Sequence, residues 1–236
     1  MKKLRPNLER AKMAMIFLWI MIAVLGIMLI AELNQLFIVK DLASGNYTNE
    51  TIAAAEQSDL YIGFSAIAYF LLFIGCAIVF IMWFRRAYFN LHTLIPSGLR
   101  MTEGWASGAW FIPVYSLWGP FQVATDLFDR TEGLLIKHDL TESKPQRNVV
   151  KGWWWAFWVG GNVLSNVENQ MAKSLDFDVV LNSCYVGIIS SIVMIAGAYF
   201  AIMTIKTYSE MEELLPQIND VSTVKSDNTD LLDSTF

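Results

Sequence analysis

The 236-residue sequence has few of the residue types that build catalytic or metal sites: it contains two cysteines and two histidines, and only 17% of its residues are charged. Soluble proteins carry about a quarter charged residues. Cys76 and Cys184 both lie in apolar stretches, where cysteine packs as a small hydrophobic residue, and we expect free thiols. His92 and His138 have no second ligand residue at metal-binding spacing, so we expect no metal and no cofactor.

Charge is also missing from four long stretches of the chain, and 55% of all residues are hydrophobic. A helix needs about 20 mostly apolar residues to cross the hydrocarbon core of a bilayer. Three of the four stretches are long enough, and the first exceeds the apolar core of a signal peptide, which has about 7 to 15 residues. The sequence therefore predicts an all-α, multi-pass membrane protein. The uncharged stretches are residues 13–31, 60–84, 152–167 and 179–205.

Lysine and arginine are distributed unevenly around these stretches. Short cytoplasmic loops of membrane proteins collect basic residues. If the four stretches cross and residues 105–125 do not, 15 basic residues lie inside and only Lys40 and Lys173 lie outside; if residues 105–125 also cross, the split becomes nine against eight. We therefore predict four transmembrane helices with both termini cytoplasmic. Their expected bounds are about 13–33, 60–84, 152–172 and 179–205.

The third predicted span, residues 152–172, is the weakest. If it did not cross, the split of basic residues would be 14 against 3, which the positive-inside rule does not separate from 15 against 2. Four tryptophans at its start and Lys173 at its end favour a crossing. Asn162, Asn166 and two further polar residues share one helical face, which predicts burial in the bundle, through interhelical hydrogen bonds or along a hydrated path.

A fifth uncharged block, residues 105–125, contains Pro113 and Pro120. Proline lacks a backbone donor and obstructs the preceding helical turn, and a broken helix is tolerated at membrane depth only where protein or a wet cavity covers the break. The sequence therefore predicts helical pieces that re-enter the membrane or lie at its interface, with a break between residues 112 and 121. We expect the freed carbonyl groups to face Arg86, Asn90, Gln122 or water.

Two short motifs frame this element. Arg86-Ala87-x-x-Asn90-Leu91 follows the second uncharged stretch, and Trp110-Phe111-Ile112-Pro113 precedes Trp118-x-Pro120-x-Gln122. These motifs resemble an uncharacterised family of bacterial four-helix membrane proteins, known only as a domain of unknown function, in which a small polar residue, often Asn, occupies the position of Ser116. The resemblance implies four spans and a bacterial envelope, and no activity. The candidate residues for binding a ligand or partner are Arg86, Asn90, Trp110, Pro113, Ser116, Trp118, Pro120, Gln122, Asn162 and Asn166.

The chain around this element divides into a basic N-terminus, residues 1–12, a membrane domain, residues 13–208, and an acidic tail, residues 209–236. The tail is rich in Asp, Ser and Thr and poor in large apolar residues, which predicts disorder. Basic residues lie beside the apolar stretches and acidic residues gather in the tail, so nucleic acid is not an expected partner.

No catalytic motif accompanies this architecture. The leading hypothesis is a non-enzymatic protein that binds a protein or a lipid at the cytoplasmic face of a bacterial inner membrane; besides the bilayer, the candidate partners are an anionic lipid, a membrane protein and a second copy of the chain. The alternative is a small oligomeric channel or transporter that uses the polar face of residues 162–169 and the break at Pro113 and Pro120. A membrane enzyme would need a nucleophile, acid or histidine near Tyr115 or Ser116, and the sequence offers no strong candidate.

Overall fold

Six α-helices joined by loops and turns make up the described part of the protein, and no strand occurs in that part. The computed structural model describes residues 3–144 and 146–218. A 3₁₀ turn, Tyr115–Leu117, precedes the fourth helix. The prediction of an all-α protein is confirmed. The helices are α1 (Leu8–Ala43), α2 (Asn49–Leu94), α3 (Trp105–Gly108), α4 (Gly119–Lys137), α5 (Gln146–Met171) and α6 (Phe177–Glu212).

Within the described residues, three helices are long and apolar enough to cross a membrane: α1, α2 and the helical stretch Phe177–Ile218 that begins with α6. They contain 36, 46 and 42 residues. At about 1.5 Å per residue, each is longer than the hydrocarbon core, which is about 30 Å thick. Each helix therefore continues past its uncharged stretch, and residues 44–48 are all that separates α1 from α2. The protein is a multi-pass membrane protein.

The helix α5 covers the third predicted span, but it is not among these three. Its sequence places Asn162, Asn166 and Glu168 within two turns. These polar groups reduce the hydropathy of α5 relative to the other long helices. A crossing by α5, and with it the count of four spans, stays a prediction.

The chain divides into two compact units. The first, the basic unit, consists of the described residues within 3–12, 80–151 and 203–218, and the second, the apolar unit, consists of residues 13–79 and 152–202. The described residues of the basic unit include 13 Lys or Arg and 10 Asp or Glu, whereas those of the apolar unit include 2 and 8. The predicted orientation depends on this contrast in basic residues.

Aromatic side chains from three helices form the core of the basic unit. Tyr208 of α6 is fully buried, and its ring contacts Trp83 of α2 and Phe128 of α4 at centroid distances of 6.1 and 5.7 Å. The Tyr208 hydroxyl lies 3.5 Å from Thr131 Oγ1 of α4. Aromatic side chains bury about 150–250 Å² each, so this cluster fixes α4 against α2 and α6.

Two ion pairs join α4 to the beginning of α5. Lys151 Nζ lies 2.9 Å from Asp129 Oδ1, and Arg147 Nη1 lies 2.9 Å from Glu132 Oε1. Both basic residues are buried. The side chains of Arg147 and Glu132 are 10% and 12% exposed, and removing one partner of such a buried pair costs about 3–5 kcal/mol because the other charge is left uncompensated. The Asp129 side chain is 48% exposed, so solvent screens its pair with Lys151 and that pair contributes less. The first turns of α5 are therefore tied to α4 by charge as well as by packing.

Small residues allow close helix packing in the apolar unit. A side chain at Gly161 of α5 would collide with Met194 of α6, and a Cβ at Gly197 of α6 would lie 3.3 Å from Phe157 of α5. Both cysteines are buried in this unit with free thiols, as predicted. Glycine is thus most restrictive at position 197, where a Cβ would meet the Phe157 Cβ and the backbone of α5, whereas at position 161 it would meet the flexible side chain of Met194.

Helical structure continues beyond the expected membrane domain. The helix α6 ends at Glu212, residues 213–214 form a turn, and residues 215–218 are helical again. The residues 209–218, which the sequence assigned to the tail, therefore belong to the folded basic unit. The disorder predicted for the rest of the tail concerns positions from 219 onwards, which lie outside the described residues.

Candidate functional site

The helical hydrogen bonding of residues 105–125 is interrupted, as predicted. The helix α3 ends at Gly108, turns follow, and α4 begins at Gly119. Pro120 occupies the first turn of α4. The N–H groups of that turn have no acceptor within the helix, so the missing proline donor costs nothing there. Residues 105–125 therefore do not form one spanning helix, and we call the segment between α3 and α4 the break.

Val114 has an unusual backbone conformation at the centre of the break. Its φ is 66° and its ψ is −52°, and Tyr115 N–H donates a 2.7 Å hydrogen bond to Pro113 O across it. This arrangement is a γ-turn of the rare, strained type, and a β-branched residue at positive φ is an outlier. Such strain costs about 1–3 kcal/mol and persists only where the surroundings enforce it. The break is thus a defined turn rather than a loose loop.

The carbonyl groups of the break are paired locally. Those of Ile112, Val114 and Trp118 accept backbone N–H groups three or four residues further along the chain, at 2.9–3.0 Å. Gln122 takes part through its own backbone N–H. Asn90, which was expected to face these carbonyls, makes its hydrogen bonds elsewhere. Of the groups expected to face the freed carbonyls, Asn90 is therefore wrong, because consecutive short turns pair the carbonyls within the segment, whereas Gln122 does supply a donor.

The ring of Tyr115 holds the break together. It contacts Trp105 and Trp118 edge to face, at centroid distances of 5.4 and 5.5 Å, and its hydroxyl lies 3.4 Å from Met101 Sδ. Gly119 packs against the same ring, since a Cβ there would lie 2.5 Å from Tyr115 Cε1. Aromatic pairs in this geometry are each worth about 0.5–1.5 kcal/mol beyond their buried area, which offsets the strain of the turn.

The break exposes large apolar side chains. Phe111 is 75% exposed, whereas its neighbour Trp110 contacts Phe80 and Phe84 of α2 at 5.7 and 6.1 Å. Exposed apolar patches mark contacts with membranes or partners, and tryptophan concentrates at membrane interfaces. The exposed apolar group of the break consists of Phe111, Ile112, Val114, Leu117 and Trp118, and Trp105 of the adjoining α3 is exposed as well.

A second group of residues meets just before α1. Asn90 of α2 donates through Nδ2 to Arg5 O at 2.9 Å and to Glu212 Oε1 at 2.7 Å, and its Oδ1 accepts the Arg5 N–H at 2.9 Å. Asn7 donates through Nδ2 to Glu212 Oε2 at 2.9 Å and to Trp83 O at 3.3 Å. Each carboxylate oxygen of Glu212 thus accepts an amide from a different segment. The N-terminal segment, α2 and α6 are joined at this carboxylate.

Arg86 belongs to a group of four arginines in the same unit. The others, whose charges act on Arg86, are Arg5, Arg10 and Arg85, and Glu212 supplies a nearby negative charge. The Arg10 side chain donates to a backbone carbonyl of α2 at 2.9 Å, and the Arg5 guanidinium lies 4.1 Å from an aromatic centroid of α2. None of the four has an ion-pair partner among the described residues. Clustered positive charge of this kind attracts anions.

A pocket of about 370 Å³ lies beside the Glu212 carboxylate. Pockets of about 300–1,000 Å³ suit small ligands. Three leucines and two prolines form its apolar walls. Two of its lining residues, Asn7 and Ser209, carry buried oxygens, Oδ1 and Oγ, without a hydrogen-bond partner, which is rare in native proteins. The polar lining residues are Arg5, Asn7, Asn90, Ser209, Glu212 and Glu213.

A third polar network fixes the loop before α3. The side chain of Asp126 in α4 is 2% exposed; it accepts hydrogen bonds from Tyr88 OH at 3.3 Å and Arg100 N–H at 3.0 Å, and it pairs with Arg100 Nε at 3.3 Å. A buried carboxylate needs such partners, so this network is structural. Within the described residues, no group of three or more His, Cys, Asp and Glu is arranged to hold a metal.

The polar face of α5 lies in the apolar unit, and its predicted burial is wrong for Asn166, which is exposed, while Asn162 is half-buried. Their Nδ2 groups donate to carbonyls one turn earlier in α5, Trp158 O and Asn162 O, at 2.7 and 2.8 Å. Because each Nδ2 group finds an acceptor in its own helix, its hydrogen bond requires no other helix of the same chain. Ser165 Oγ does reach across, to Ser190 Oγ of α6 at 2.8 Å.

The candidates derived from sequence do not include Asn7, Ser209 or Glu212. Asn7 directly precedes α1, in the position of a helix N-cap, which is a local signal for a helix start but not for a pocket. Glu212 lies close to Glu210 and Glu213, which have the same chemistry. Only packing decides which of these carboxylates is turned inward, so no sequence signal distinguishes Glu212.

One comparison with known proteins matches most of the chain. No curated protein and no solved structure matches the chain. A family match covers residues 46–210, a range that contains Asn90 and the whole break but neither Asn7 nor Glu212. Since this range is more than half of the chain, the protein belongs to the family described as Domain of unknown function (DUF4328).

Proposed function

We propose that this membrane protein is a non-enzymatic component of a bacterial inner membrane whose basic unit lies on the cytoplasmic side and binds lipid. The observation that carries the proposal is the exposed apolar group of the break, in the same unit as 13 basic residues. Aromatic side chains enter the membrane interface, and each Lys or Arg near an anionic surface contributes about 1 kcal/mol of attraction.

The contacts of Trp110 favour lipid over a protein partner. Trp110 packs on Phe80 and Phe84, which lie in the last turns of the uncharged stretch 60–84. If that stretch crosses the bilayer, the end that Trp110 contacts lies at the boundary between hydrocarbon and headgroups. The exposed side chain of the adjacent Phe111 is then within reach of lipid.

A depth measurement tests this proposal. A nitroxide label is attached at Phe111→Cys in a chain that also carries Cys76→Ala and Cys184→Ala, reconstituted in bilayers that contain phosphatidylglycerol. We expect the label to be shielded from a water-soluble relaxation agent and accessible to oxygen. Glu142→Cys, at an exposed position before α5, serves as the control and is expected to be aqueous. If the label at Phe111→Cys is as accessible to the water-soluble agent as the label at Glu142→Cys, the result would point to a protein partner instead of lipid.

A second candidate function is a small oligomeric channel or transporter, and the exposure of Asn166 supports it. A polar side chain on a membrane helix normally faces protein or water, so a second copy of the chain would cover Asn166 if α5 crosses. Asn166→Leu is then expected to lower the oligomeric fraction in native mass spectrometry and any ion flux into liposomes. Val163→Leu, an exposed apolar position in α5, is the control. An unchanged oligomeric state would argue against the channel.

A further inference from the structure

Guanidinium groups from two segments meet at the end of the apolar part of α2. Arg10 Nη1 donates to Met82 O at 2.9 Å. Within an α-helix the carbonyl of residue 82 also accepts the N–H of residue 86, so the Arg10 side chain lies beside the turn that ends at Arg86. The charges of Arg5, Arg10 and Arg85 all act on Arg86. We call these four residues the arginine group; two belong to the N-terminal segment and α1, and two to α2.

The positive charge of the arginine group is largely unopposed. None of its members has an ion-pair partner among the described residues, and within that part of the chain the side chains of Arg85 and Arg86 make no hydrogen bond. Glu212 supplies a negative charge that acts on Arg86, but each of its oxygens already accepts an amide, from Asn7 and Asn90. Guanidinium N–H groups therefore remain available to an anion, and phosphate oxygens match their planar fork.

The position of the arginine group along α2 matches the headgroup layer of a bilayer. Arg85 and Arg86 directly follow the uncharged stretch 60–84, whose end lies at the boundary between hydrocarbon and headgroups if the stretch crosses. Met82 lies one turn before Arg86 on the same helical face and is 45% exposed. That face of α2 therefore presents an apolar side chain on the hydrocarbon side and a guanidinium on the headgroup side.

Charge selects among the lipids that reach this face. A zwitterionic headgroup carries an ammonium beside its phosphate, and the four arginines repel that ammonium. An anionic headgroup has no such cation, and each Lys or Arg near an anionic lipid surface adds to the attraction. A soluble phosphate compound would make the same charge contacts but would leave the apolar Met82 side chain uncovered. An anionic lipid satisfies both parts of the surface.

We propose that the arginine group binds the phosphate of an anionic phospholipid, with an acyl chain of the same lipid against Met82. Arg10 and Arg86 contact the phosphate oxygens, and Arg5 and Arg85 add positive charge around them. The assignment deepens the proposed lipid contact by naming the lipid class and the residues that select it, and it rests on that contact for the placement of the basic unit at the membrane.

Native mass spectrometry on the full chain in detergent measures the affinity for two lipids with identical acyl chains, phosphatidylglycerol and phosphatidylcholine. We expect the apparent Kd of phosphatidylglycerol to be about tenfold lower. Because the two lipids share their chains and their phosphate, the difference reports the charge of the rest of the headgroup. Equal affinities for the two lipids overturn the proposal.

Two variants remove one charge each from the arginine group. Arg86→Gln should weaken phosphatidylglycerol binding about tenfold and leave phosphatidylcholine binding unchanged. Arg86→Lys keeps the charge but not the planar fork, and it should lose less affinity than Arg86→Gln. Arg85 is exposed and makes no hydrogen bond within the described residues, so Arg85→Gln should keep the fold and weaken phosphatidylglycerol binding about fivefold. Unchanged affinity in both Gln variants overturns the assignment.

Arg130→Gln is the matched control. Arg130 is an exposed arginine of α4 in the same basic unit, so the substitution removes the same charge from a place outside the arginine group. Its affinity for phosphatidylglycerol should equal that of the unmodified protein. Equal losses for Arg130→Gln and Arg86→Gln would show diffuse attraction to the whole unit and contradict a site at the arginine group.

Glycerol phosphate, which has the phosphate but no acyl chain, distinguishes a lipid from a soluble compound. At the concentration at which phosphatidylglycerol occupies half of the protein, glycerol phosphate should not displace the lipid. Displacement at that concentration would identify a free phosphate compound as the occupant and overturn the assignment to a lipid. The label at Phe111→Cys reports on the break in a bilayer, whereas these titrations compare headgroups at the arginine group, so failure of the lipid contact and failure of this assignment are distinguishable.

Discussion

The ring of Tyr115 occupies the space that a side chain at position 119 would need. A Cβ built on Gly119 would lie 2.5 Å from Tyr115 Cε1 and 2.8 Å from Cδ1. The first residue of α4 is therefore glycine for steric reasons, and the ring that excludes a side chain is the one that packs on Trp105 and Trp118. The turn of the break and the start of α4 are parts of one packed arrangement.

Gly119→Ala should accordingly destabilise the protein by about 1–3 kcal/mol, because the ring of Tyr115 must move. Thermal unfolding in detergent, followed by near-ultraviolet circular dichroism, measures the change. Gly133→Ala is the matched control, since Gly133 lies within α4 with no atom near its would-be Cβ, and it should stabilise by about 0.5–1 kcal/mol. Equal effects of the two changes would refute the close contact.

The positive φ of Val114 predicts the order of stability of two variants at this position. At most exposed positions glycine is less stable than alanine, but at positive φ the order reverses because glycine has no Cβ to clash. We expect Val114→Gly to be more stable than Val114→Ala by about 0.5–1 kcal/mol in the same unfolding assay. If alanine is the more stable of the two, the backbone at 114 does not have positive φ.

Asp126→Asn should loosen the loop before α3. The change removes the charge that pairs with Arg100 Nε and weakens the acceptor for Tyr88 OH, at a cost of about 1–3 kcal/mol. Limited proteolysis after Arg100 is expected to become faster. Glu142→Gln removes the same charge at an exposed position and should leave the cleavage rate unchanged. If Asp126→Asn is cleaved after Arg100 no faster than the unmodified protein, the Asp126 network does not hold this loop in place.

The proposed orientation predicts which exposed loop a reagent reaches. In a chain with Cys76→Ala and Cys184→Ala, an impermeant maleimide added to intact bacterial cells should label Asn46→Cys and leave Ser143→Cys unlabelled until the membrane is permeabilised. Both positions are exposed in the structure, so burial does not explain a difference. Labelling of Ser143→Cys in intact cells would exclude a cytoplasmic location of the loop between α4 and α5.

Local features of the sequence predict the helices and the break. An uncharged apolar run of about 20 residues has few stable alternatives to helix in a bilayer, because backbone hydrogen bonds must be made within the segment. Pro113 prevents one straight helix through residues 105–125 wherever the chain lies, because the proline nitrogen has no hydrogen to donate. The helices and the break therefore arise without any particular tertiary contact.

The tertiary structure decides the site. Asn90 was a candidate from sequence, but its partners are Arg5, 85 residues away, and Glu212, 122 residues away; Asn7 and Glu212 are 205 residues apart. Asn166 is exposed and its amide bonds within its own helix, which periodicity does not reveal. Sequence thus determines which segments are helical, because helical hydrogen bonds form between residues close together in the chain. The pocket arises only where three distant segments pack together, and packing alone turns the Glu212 carboxylate inward.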